Sequence, residues 1–351
     1  MGRWVWLLLG MAIGTLEGTG QRTLKEKGPY YALVFVRGGE LWTVEVGARS
    51  SPRRLTFLGG LSRPSFSPDG SLLLAERRTS LGSDLVLFER FRSSPRFLTS
   101  VRRVAYAHWS PGGKHVVCLT WPPWEEGSPP LRCSVLWVRD VNNRPTPKRI
   151  PALTTNWPVT FSSDEVLWVV ETKDGIAQRL LRVSGSEERP TSYGLPEVGF
   201  DRKRSWVAFA PKGQFLAYLS TSPEGWSGHI VLDRALRVWE EWKGGQERDS
   251  TSPFPLPLWQ PEGEAVLFDH TNLTSEAQAG VWLSRRQGNR FSSRRVMPGF
   301  LGGEPLRLTG MAWSPDGLRI ALGIVGKPAP GWGSSRERVI VLEAPSGKVV
   351  A

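Results

Sequence analysis

Histidines and acidic residues are the side chains through which this sequence would carry out acid–base or metal chemistry. Its four histidines are His108, His115, His229 and His270. None of them stands in a metal-ligand spacing, such as two histidines four residues apart on a helix. Asp69 and Asp316 occupy matching positions in a repeated phrase, and we interpret them as turn residues rather than as a catalytic pair. The sequence therefore predicts a non-enzyme, with no catalytic constellation, no metal site and no cofactor.

Tryptophan is the other chemically informative residue type, with 17 copies in 351 residues. Most tryptophans fall in predicted strands. Five fall in or beside predicted loops, and these are Trp121, Trp124, Trp157, Trp226 and Trp332. Aromatic rings with arginines nearby suit sugar rings, proline-rich peptides or a protein partner. We predict that the five rings crown one face as a recognition surface; the alternative is that they fold inward and cap the structure.

A repeated phrase must position these residues. Its cleanest copy is Phe66-Ser67-Pro68-Asp69-Gly70, and successive copies are separated by about 43 to 54 residues, with a weaker copy at 161–165. Proline fixes φ, aspartate or serine bonds back to the local backbone, and glycine accepts positive φ, so each copy predicts a tight turn between two strands. The residues assigned to these turns are Pro68, Asp69, Gly70, Pro111, Gly113, Pro211, Gly213, Pro261, Gly263, Pro315, Asp316 and Gly317.

The period of this phrase is typical of β-propellers, in which each repeat forms one four-stranded blade. A third strand follows each predicted hairpin, and a basic edge strand such as 53–56, 96–99 or 306–309 follows some of them. We predict an all-β fold: a single propeller over residues 28–351 with seven blades favoured and six possible. The ring is expected to close by pairing of the chain ends, with residues 31–36 joined to the terminal blade.

At this point the sequence resembles a known family. Residues 303–309 (GEPLRLT) followed by 312–317 (AWSPDG) are similar to the TolB-like, WD-related β-propeller repeat, and the resemblance covers roughly residues 30 to 345. It implies a non-catalytic module that binds proteins or serves as an envelope-associated scaffold. The alternative is a propeller hydrolase or lyase that acts on a peptide or carbohydrate at the mouth of the channel.

Residues 1–20 differ from the rest of the chain. Arg3 is followed by an apolar stretch over residues 4–14, which is short for a membrane span and suits a secretory signal. We predict either a cleaved signal peptide or an uncleaved signal anchor, and hence a periplasmic or secreted monomer. Any membrane association is expected to use this segment alone.

The charge balance also bears on partners. Lysine and arginine exceed aspartate and glutamate, giving a formal net charge of +12. Such a charge favours anionic envelope polymers or lipid headgroups, or it is a solubilising surface spread over edge strands and loops. The expected partner is a protein or an anionic envelope polymer, and nucleic acid is not expected for an exported propeller.

The two cysteines fall in neighbouring strands of one predicted blade. Cys118 lies in a second strand and Cys133 at the start of the third. These strands are antiparallel neighbours, so a disulfide is predicted, consistent with an exported chain. The alternative is a pair of unrelated buried thiols.

The tryptophan face yields a direct prediction. Replacing Trp124 and Trp332 with alanine should weaken partner capture and leave the melting temperature nearly unchanged, because loop rings on a recognition face add little to the core. Affinity capture and thermal unfolding of the same double variant measure the two effects. A loss of several degrees with normal binding would identify these rings as caps.

Overall fold

The computed structural model describes most of the chain. The described residues are 10–13, 31–46, 51–89, 94–98, 104–120, 133–141, 146–155, 159–173, 176–184, 190–195, 206–221, 226–247, 257–301, 303–325, 337–344 and 346–349. All regular structure in these ranges is β-strand.

The described strands form seven larger antiparallel sheets and one short two-stranded sheet, each built from strands consecutive in the chain. We number the larger sheets as blades 1 to 7. Blade 1 consists of Gly10–Ile13, Tyr31–Arg37, Glu40–Val46 and Arg53–Arg54. Blade 2 consists of Leu61–Phe66, Leu72–Thr79, Gly82–Glu89 and Pro95–Phe97. Blade 3 consists of Val104–Trp109, Val116–Thr120, Cys133–Arg139 and Thr146–Thr155.

Blades 4 to 6 are also four-stranded. Blade 4 consists of Thr160–Ser163, Val166–Lys173, Ile176–Ser184 and Thr191–Tyr193. Blade 5 consists of Trp206–Phe209, Phe215–Thr221, Trp226–Asp233 and Val238–Gln246. Blade 6 consists of Leu258–Trp259, Ala265–His270, Gly280–Gln287 and Arg290–Pro298.

Blade 7 has three strands, Arg307–Trp313, Arg319–Val325 and Glu337–Glu343, and a bridge from Leu342 to Val349 marks the position of a fourth. A short pair, Phe300–Leu301 and Glu304–Pro305, connects blades 6 and 7. The prediction of an all-β propeller with seven blades is confirmed.

Each blade is apolar on both faces, because each is sandwiched between two others. Successive residues of a strand point to opposite faces. In the second strand of blade 2, Leu73 and Ala75 therefore pack toward blade 1, whereas Leu74 packs toward blade 3. A blade with two apolar faces is stable only when a neighbour covers each of them.

Seven clusters of buried apolar side chains lie among the described residues, and each spans one blade–blade interface. The cluster between the last and first blades contains Ala312, Ala321 and Val341 of blade 7 and Leu33 of blade 1. First strands of neighbouring blades also contact one another, including those of blades 7 and 1. The first strands are therefore innermost, and the ring is closed by packing.

The way the ring closes corrects the expectation that residues 31–36 join the terminal blade. Tyr31–Arg37 pairs instead with Gly10–Ile13 on one side and Glu40–Val46 on the other. Gly10–Ile13 thus supplies the innermost strand of blade 1, so no strand from the other chain end is needed there. These four residues lie within the predicted signal segment, whose cleavage stays a prediction.

One edge strand was also misassigned from sequence. Residues 306–309 were predicted to be the outer strand of a blade. Residues 307–309 instead begin the innermost strand of blade 7, and the outer strand of blade 6 is Arg290–Pro298. The basic phrase in 306–309 is similar to those of true edge strands, so local composition alone misleads here.

The repeated phrase forms the same turn in successive blades. In blade 2 the Gly70 amide donates to the Ser67 carbonyl over 2.8 Å, and the Ser67 hydroxyl donates to Asp69 over 2.6 Å. Burial opposes ionisation of Asp69, but the bonds from Ser67 and Ser71 outweigh it and lower the pKa of this carboxyl. The turn glycines have φ between +64° and +78°, a region that favours glycine; these are Gly70, Gly113, Gly213, Gly263 and Gly317.

The turns contact one another in series around the ring. The Gly112 amide donates to Asp164 of the next turn over 2.7 Å. A Cβ added at Gly213 would lie 2.6 Å from the Cβ of Ser162, which belongs to the preceding turn. The turns therefore share one face, which agrees with their predicted arrangement. We call it the turn face, and we call the opposite face, where the chain crosses between blades, the crossing face.

An indole–carbonyl bond repeats between blades. The donor is the indole N–H of the tryptophan that ends an innermost strand. The acceptor is a backbone carbonyl in the preceding blade, one residue before the aromatic residue that ends the innermost strand of that blade. The bonds are Trp109 to Ser65 over 3.2 Å, Trp259 to Ala208 over 2.9 Å, and Trp313 to Leu258 over 3.0 Å. Each ring also belongs to the apolar cluster of its interface. One side chain thus fixes both the separation and the register of two blades.

We predict that Trp259→Phe lowers the free energy of unfolding by about 1 to 3 kcal/mol, because it leaves the Ala208 carbonyl without its donor in a buried interface. Denaturant titration followed by circular dichroism measures the change. Trp42→Phe is the control, since the Trp42 indole donates over 3.2 Å to Arg37 within its own blade. Equal losses in the two variants would contradict a special role for the inter-blade bond.

Candidate functional site

The predicted tryptophan face falls largely outside the described residues. Trp121, Trp124, Trp157 and Trp332 lie outside them. Trp226 opens the third strand of blade 5 opposite Gln246, and its side chain is not among those described. This recognition surface stays a prediction.

The predicted disulfide also stays a prediction, and the strand register weighs against it. Cys118 is buried and lies opposite Leu136, whereas Cys133 is three residues away from Leu136 on the same strand. An offset of three residues is about 10 Å along a strand. A disulfide requires Cα atoms within about 7 Å of each other.

The described residues contain a different candidate site, on the crossing face of blades 1 and 2. It consists of Arg54, Phe57, Arg63, Arg78 and Leu81, and we call it the blade 1–2 rim. Phe57 is 77% exposed and Leu81 is 67% exposed, the two largest exposures among the large apolar residues described. Sequence analysis missed this site because its residues match no motif, although the run of arginines at 77–78 and the isolated Phe57 are visible in the sequence.

A buried carboxylate organises one half of the rim. Glu40 accepts hydrogen bonds from Arg54 over 2.8 Å, from the Thr56 hydroxyl over 2.6 Å, and from the amides of Leu58 and Gly59 over 3.1 and 2.9 Å. Burial opposes ionisation of Glu40, but the bonds from Thr56, Arg54 and Gly59 outweigh it and lower its pKa. The crossing between the two blades is therefore held on both sides of Phe57.

Phe57 itself is held by a cation. The Arg54 guanidinium lies 4.3 Å from the centre of the Phe57 ring. Since Arg54 is also paired with Glu40, this contact positions the ring and covers one of its two faces. The result is an exposed aromatic ring that contacts a cation held by a buried carboxylate.

A second buried carboxylate organises the other half of the rim. Glu76 is 4% exposed; Arg63 Nη1 lies 3.5 Å and Arg78 Nε lies 3.3 Å from its two oxygens. The Ser62 hydroxyl donates to it over 3.4 Å. The two arginine side chains are 42% and 53% exposed, so a covered carboxylate presents two cations to solvent.

Arg63 lies where the channel opens. It belongs to the innermost strand of blade 2, in an irregular stretch between Ser62 and Ser65, and its φ is +49°. Positive φ is unfavourable for a residue with a Cβ and persists only where the surroundings enforce it. Here the pairing with Glu76 helps to enforce it, and the bulge turns the Arg63 side chain away from the regular alternation of the strand.

The backbone of the crossing is fixed to both blades. The Leu61 amide donates to Gly39 of blade 1, and the Arg78 amide donates to Gly60, each over 2.8 Å. A Cβ added at Gly60, where φ is +69°, would lie 2.1 Å from the Arg78 carbonyl oxygen. Glycine at this position lets the crossing lie directly against the backbone of Arg78.

The histidines form a separate buried cluster between blades 5 and 6. His229 Nδ1 lies 2.8 Å from His270 Nε2, and His229 Nε2 lies 2.8 Å from the Ser293 hydroxyl. Both histidines are fully buried, and His229 stacks on Phe268 with ring centres 3.9 Å apart. They lie on second and third strands rather than on the innermost strands that surround the channel.

Proton positions in this cluster follow from its acceptors. Glu240 is bonded by the hydroxyls of Ser284 and Ser293. When Glu240 is ionised, Ser293 donates to it and must accept from His229 Nε2, so His229 Nδ1 accepts from His270 Nε2. The remaining nitrogen, His270 Nδ1, is buried without a hydrogen-bond partner.

Burial sets the charge state of these groups. It lowers the pKa of His270 to about 3, and burial together with the neighbouring His270 lowers the pKa of His229 well below its usual value. Burial raises the pKa of Glu240, and the hydrogen bonds from Ser284 and Ser293 oppose this rise. At neutral pH the pair is therefore an uncharged polar bridge between two blades.

The other two histidines stand apart from this pair. His115 lies beside a blade turn, where its Nε2 is 3.3 Å from Glu165 and its Nδ1 accepts from the Asp140 amide over 3.2 Å. His108 is half-buried on an innermost strand, and burial lowers its pKa to about 4. Among the described residues, no group of three or more His, Cys, Asp or Glu side chains is arranged to hold a metal ion.

The described strands define a seven-bladed β-propeller, and the blade 1–2 rim exposes Phe57 and Leu81 on its crossing face. No protein-family model matches the sequence, and no curated protein sequence matches it. Within the described ranges there is no helix with the length and hydropathy that a membrane crossing requires.

Solved structures share the fold. TolB from Acinetobacter baumannii matches with a TM-score of 0.51 and 12% identity, over 92% of this chain and 76% of that one. Oligogalacturonate lyase from Vibrio parahaemolyticus matches at 0.55 and 10%, over 88% and 85%. The propeller domain of the Trilobed protease from Pyrococcus furiosus, which has an open velcro topology, matches at 0.54 and 10%, over 97% and 94%. The chain is thus similar to TolB propellers in fold, and equally to propellers of enzymes.

The histidine pair predicts a loss of stability in acid. Below a pH of about 6.5 the unfolded chain binds protons that the folded protein excludes, so the free energy of unfolding falls with pH. We expect about 1 kcal/mol for each buried histidine between pH 7 and pH 5.5. The raised pKa of Glu240 increases the free energy of unfolding as pH falls, and Glu240 is kept in the variants below.

Denaturant titrations at several pH values measure this slope. His229→Gln with His270→Gln should flatten it, because glutamine keeps a donor and an acceptor but does not titrate. His108→Gln removes one histidine with a lowered pKa outside the pair, and it should flatten the slope of unfolding free energy against pH about half as much. An unchanged slope in the double variant would show that the pair is not the origin of the acid sensitivity.

Proposed function

We propose that this protein is an exported, non-catalytic propeller that binds a protein partner through its crossing face, as a scaffold module. The observation that carries the proposal is Phe57, which is 77% exposed and contacts Arg54, itself bonded to the buried Glu40. Leu81 adds a second exposed apolar side chain on the same face. The periplasmic or secreted location rests on the signal predicted in residues 1–20.

A fixed and exposed aromatic ring is suited to binding. Association is opposed by the ordering of mobile side chains, and a ring that is already held avoids most of that cost. Aromatic residues and arginines dominate the energetics of protein interfaces, and the blade 1–2 rim contains one aromatic residue and three arginines. The tryptophans predicted for loops of this same face would extend the surface around the ring.

The enzyme alternative would need a histidine with acidic partners at the channel mouth. His270 instead bonds His229 between two blades, away from the innermost strands. The fold similarity to a lyase and to a protease domain keeps a hydrolase or lyase as the second candidate. The arrangement of the rim favours binding.

We expect Phe57→Ser with Leu81→Ser to reduce capture of the partner from an envelope fraction at least tenfold, because it removes both apolar contacts from the rim. Quantitative mass spectrometry of the captured proteins measures this loss. Leu318→Ser is the matched control: Leu318 is exposed in a turn of blade 7, on the opposite face. Equal capture by wild type and the double variant would overturn the proposal.

A further inference from the structure

We propose that the outermost strand of blade 5 pairs with the same strand of a second copy of this chain and so forms a symmetric dimer. The strand is Val238–Gln246, which ends the strand order of its sheet. It lies at the circumference of the ring rather than on the crossing face, so this inference goes beyond the proposed function and does not depend on it. The dimer also departs from the monomer expected from the sequence.

The outer strands of the other blades are protected against pairing with another chain. Exposed sheet edges are commonly blunted by shortness, by proline or by charge. The outer strands of blades 1, 2 and 4 have only two or three residues; they are Arg53–Arg54, Pro95–Phe97 and Thr191–Tyr193. The outer strand of blade 3 contains two prolines, and that of blade 6 contains three arginines and no acidic residue. Among the described outer strands of blades 1 to 6, Val238–Gln246 alone is long, lacks proline and carries charges of both signs.

The open part of this edge is short and regular. Its register with Trp226–Asp233 is continuous over Glu240–Lys243 and shifts on either side of that stretch. No other described strand pairs with Glu240–Lys243. Further along, the Gln246 carbonyl accepts from the Thr274 amide over 2.8 Å, so the edge is covered there. The stretch available to a second copy is therefore Glu240–Lys243.

The charges of this stretch select one symmetric register. In a two-fold antiparallel pair one residue lies opposite its own copy, and residues equally far from it on either side lie opposite each other. Centring the pair on Glu240, Glu241 or Lys243 would place identical charges opposite each other, which is unfavourable. Centring it on Trp242 places Glu241 of each copy opposite Lys243 of the other. The strand is complementary to itself in that register.

The same register shortens an ion pair that each copy already contains. Lys243 Nζ lies 3.7 Å from the Glu241 carboxylate, and the Lys243 side chain is 83% exposed. Residues two apart on a strand are separated by about 6.8 Å, whereas the Cβ atoms of directly opposite residues are about 4.5 to 5.5 Å apart. Each lysine thus has a nearer glutamate on the other copy. Exposed ion pairs contribute little affinity, so backbone hydrogen bonds hold the dimer and the charges select its register.

The residue at the centre of the register is aromatic and is supported from behind. The Trp242 ring centre lies 4.6 Å from those of His270 and Trp282 in blade 6, and its side chain is partly exposed. Because successive residues of a strand point to opposite faces, Trp242 points away from the face of Glu241 and Lys243. The Trp242 rings of the two copies therefore meet on the face without ion pairs, where aromatic cross-strand pairs are stabilising.

Sedimentation velocity of the unaltered full chain from about 1 to 100 µM tests the dimer. We expect a reversible monomer–dimer equilibrium in this range, because pairing over a few residues buries little surface. Hydrogen exchange at the two ends of the range tests the strand: backbone amides within residues 240–243 should exchange more slowly where the dimer prevails. Neither measurement depends on the folding of a variant.

Charge variants test the register. Glu241→Lys should weaken dimerisation at least about tenfold because it places lysines opposite lysines, and Lys243→Glu should do the same with glutamates. The variant with both changes should dimerise like the wild type, and a mixture of the two single variants should form mixed dimers. Lys212→Glu is the matched control, since Lys212 pairs with Glu262 over 3.3 Å on the turn face and is 61% exposed.

Three results would overturn the proposal. These are a monomer at every concentration, a dimer whose amides at 240–243 exchange as in the monomer, and a double variant that dimerises no better than the single ones. Melting curves check that each variant is folded. Partner capture by Glu241→Lys should equal that of the wild type, so failure of the dimer and failure of the proposed function are distinguishable.

Discussion

Each blade of this protein has two apolar faces, and the structure depends on covering both of them. A strand with alternating Leu73, Leu74 and Ala75 buries one set of side chains on each side, so no blade is complete without two neighbours. Only a closed ring satisfies every blade. The indole–carbonyl bond fixes how two blades are aligned, because the tryptophan of one blade donates to a particular carbonyl of the blade before it. Apolar burial provides most of the stability, and the hydrogen bond selects the register.

The same ring explains where a binding surface arises. The described turns that join first and second strands are short and tightly hydrogen-bonded, so they offer few side chains for other purposes. Crossing-face connections must span from the outer strand of one blade to the inner strand of the next, and the segment between Arg54 and Leu61 does this while bonded to both blades. The buried Glu40 stabilises that path from beneath, and the buried Glu76 holds Arg63 and Arg78 beyond its end. Since the two carboxylates are covered, the arginines that they bind and Phe57 are the side chains that reach solvent there.

The polar cluster between blades 5 and 6 shows how an apolar interface tolerates polar side chains. His229, His270 and Ser293 are linked in one direction toward Glu240, so most of their hydrogen-bonding groups are satisfied without water. Such a network is stable while the histidines are neutral, and burial keeps them neutral. Its contribution to the interface is therefore tied to pH.

The sequence alone determined the blades, because the information that builds them is local. A proline, an aspartate and a glycine within five residues specify a turn, and alternating apolar residues on either side specify its strands. It could not determine the rim or the histidine cluster. Glu40 and Gly59 are 19 residues apart and His229 and His270 are 41 apart, in separate elements, and no spacing rule connects them. It also misjudged closure and residues 306–309, since strands of similar composition are distinguished only by their partners. Those contacts exist only after the blades pack, and for this reason only the tertiary structure decided them.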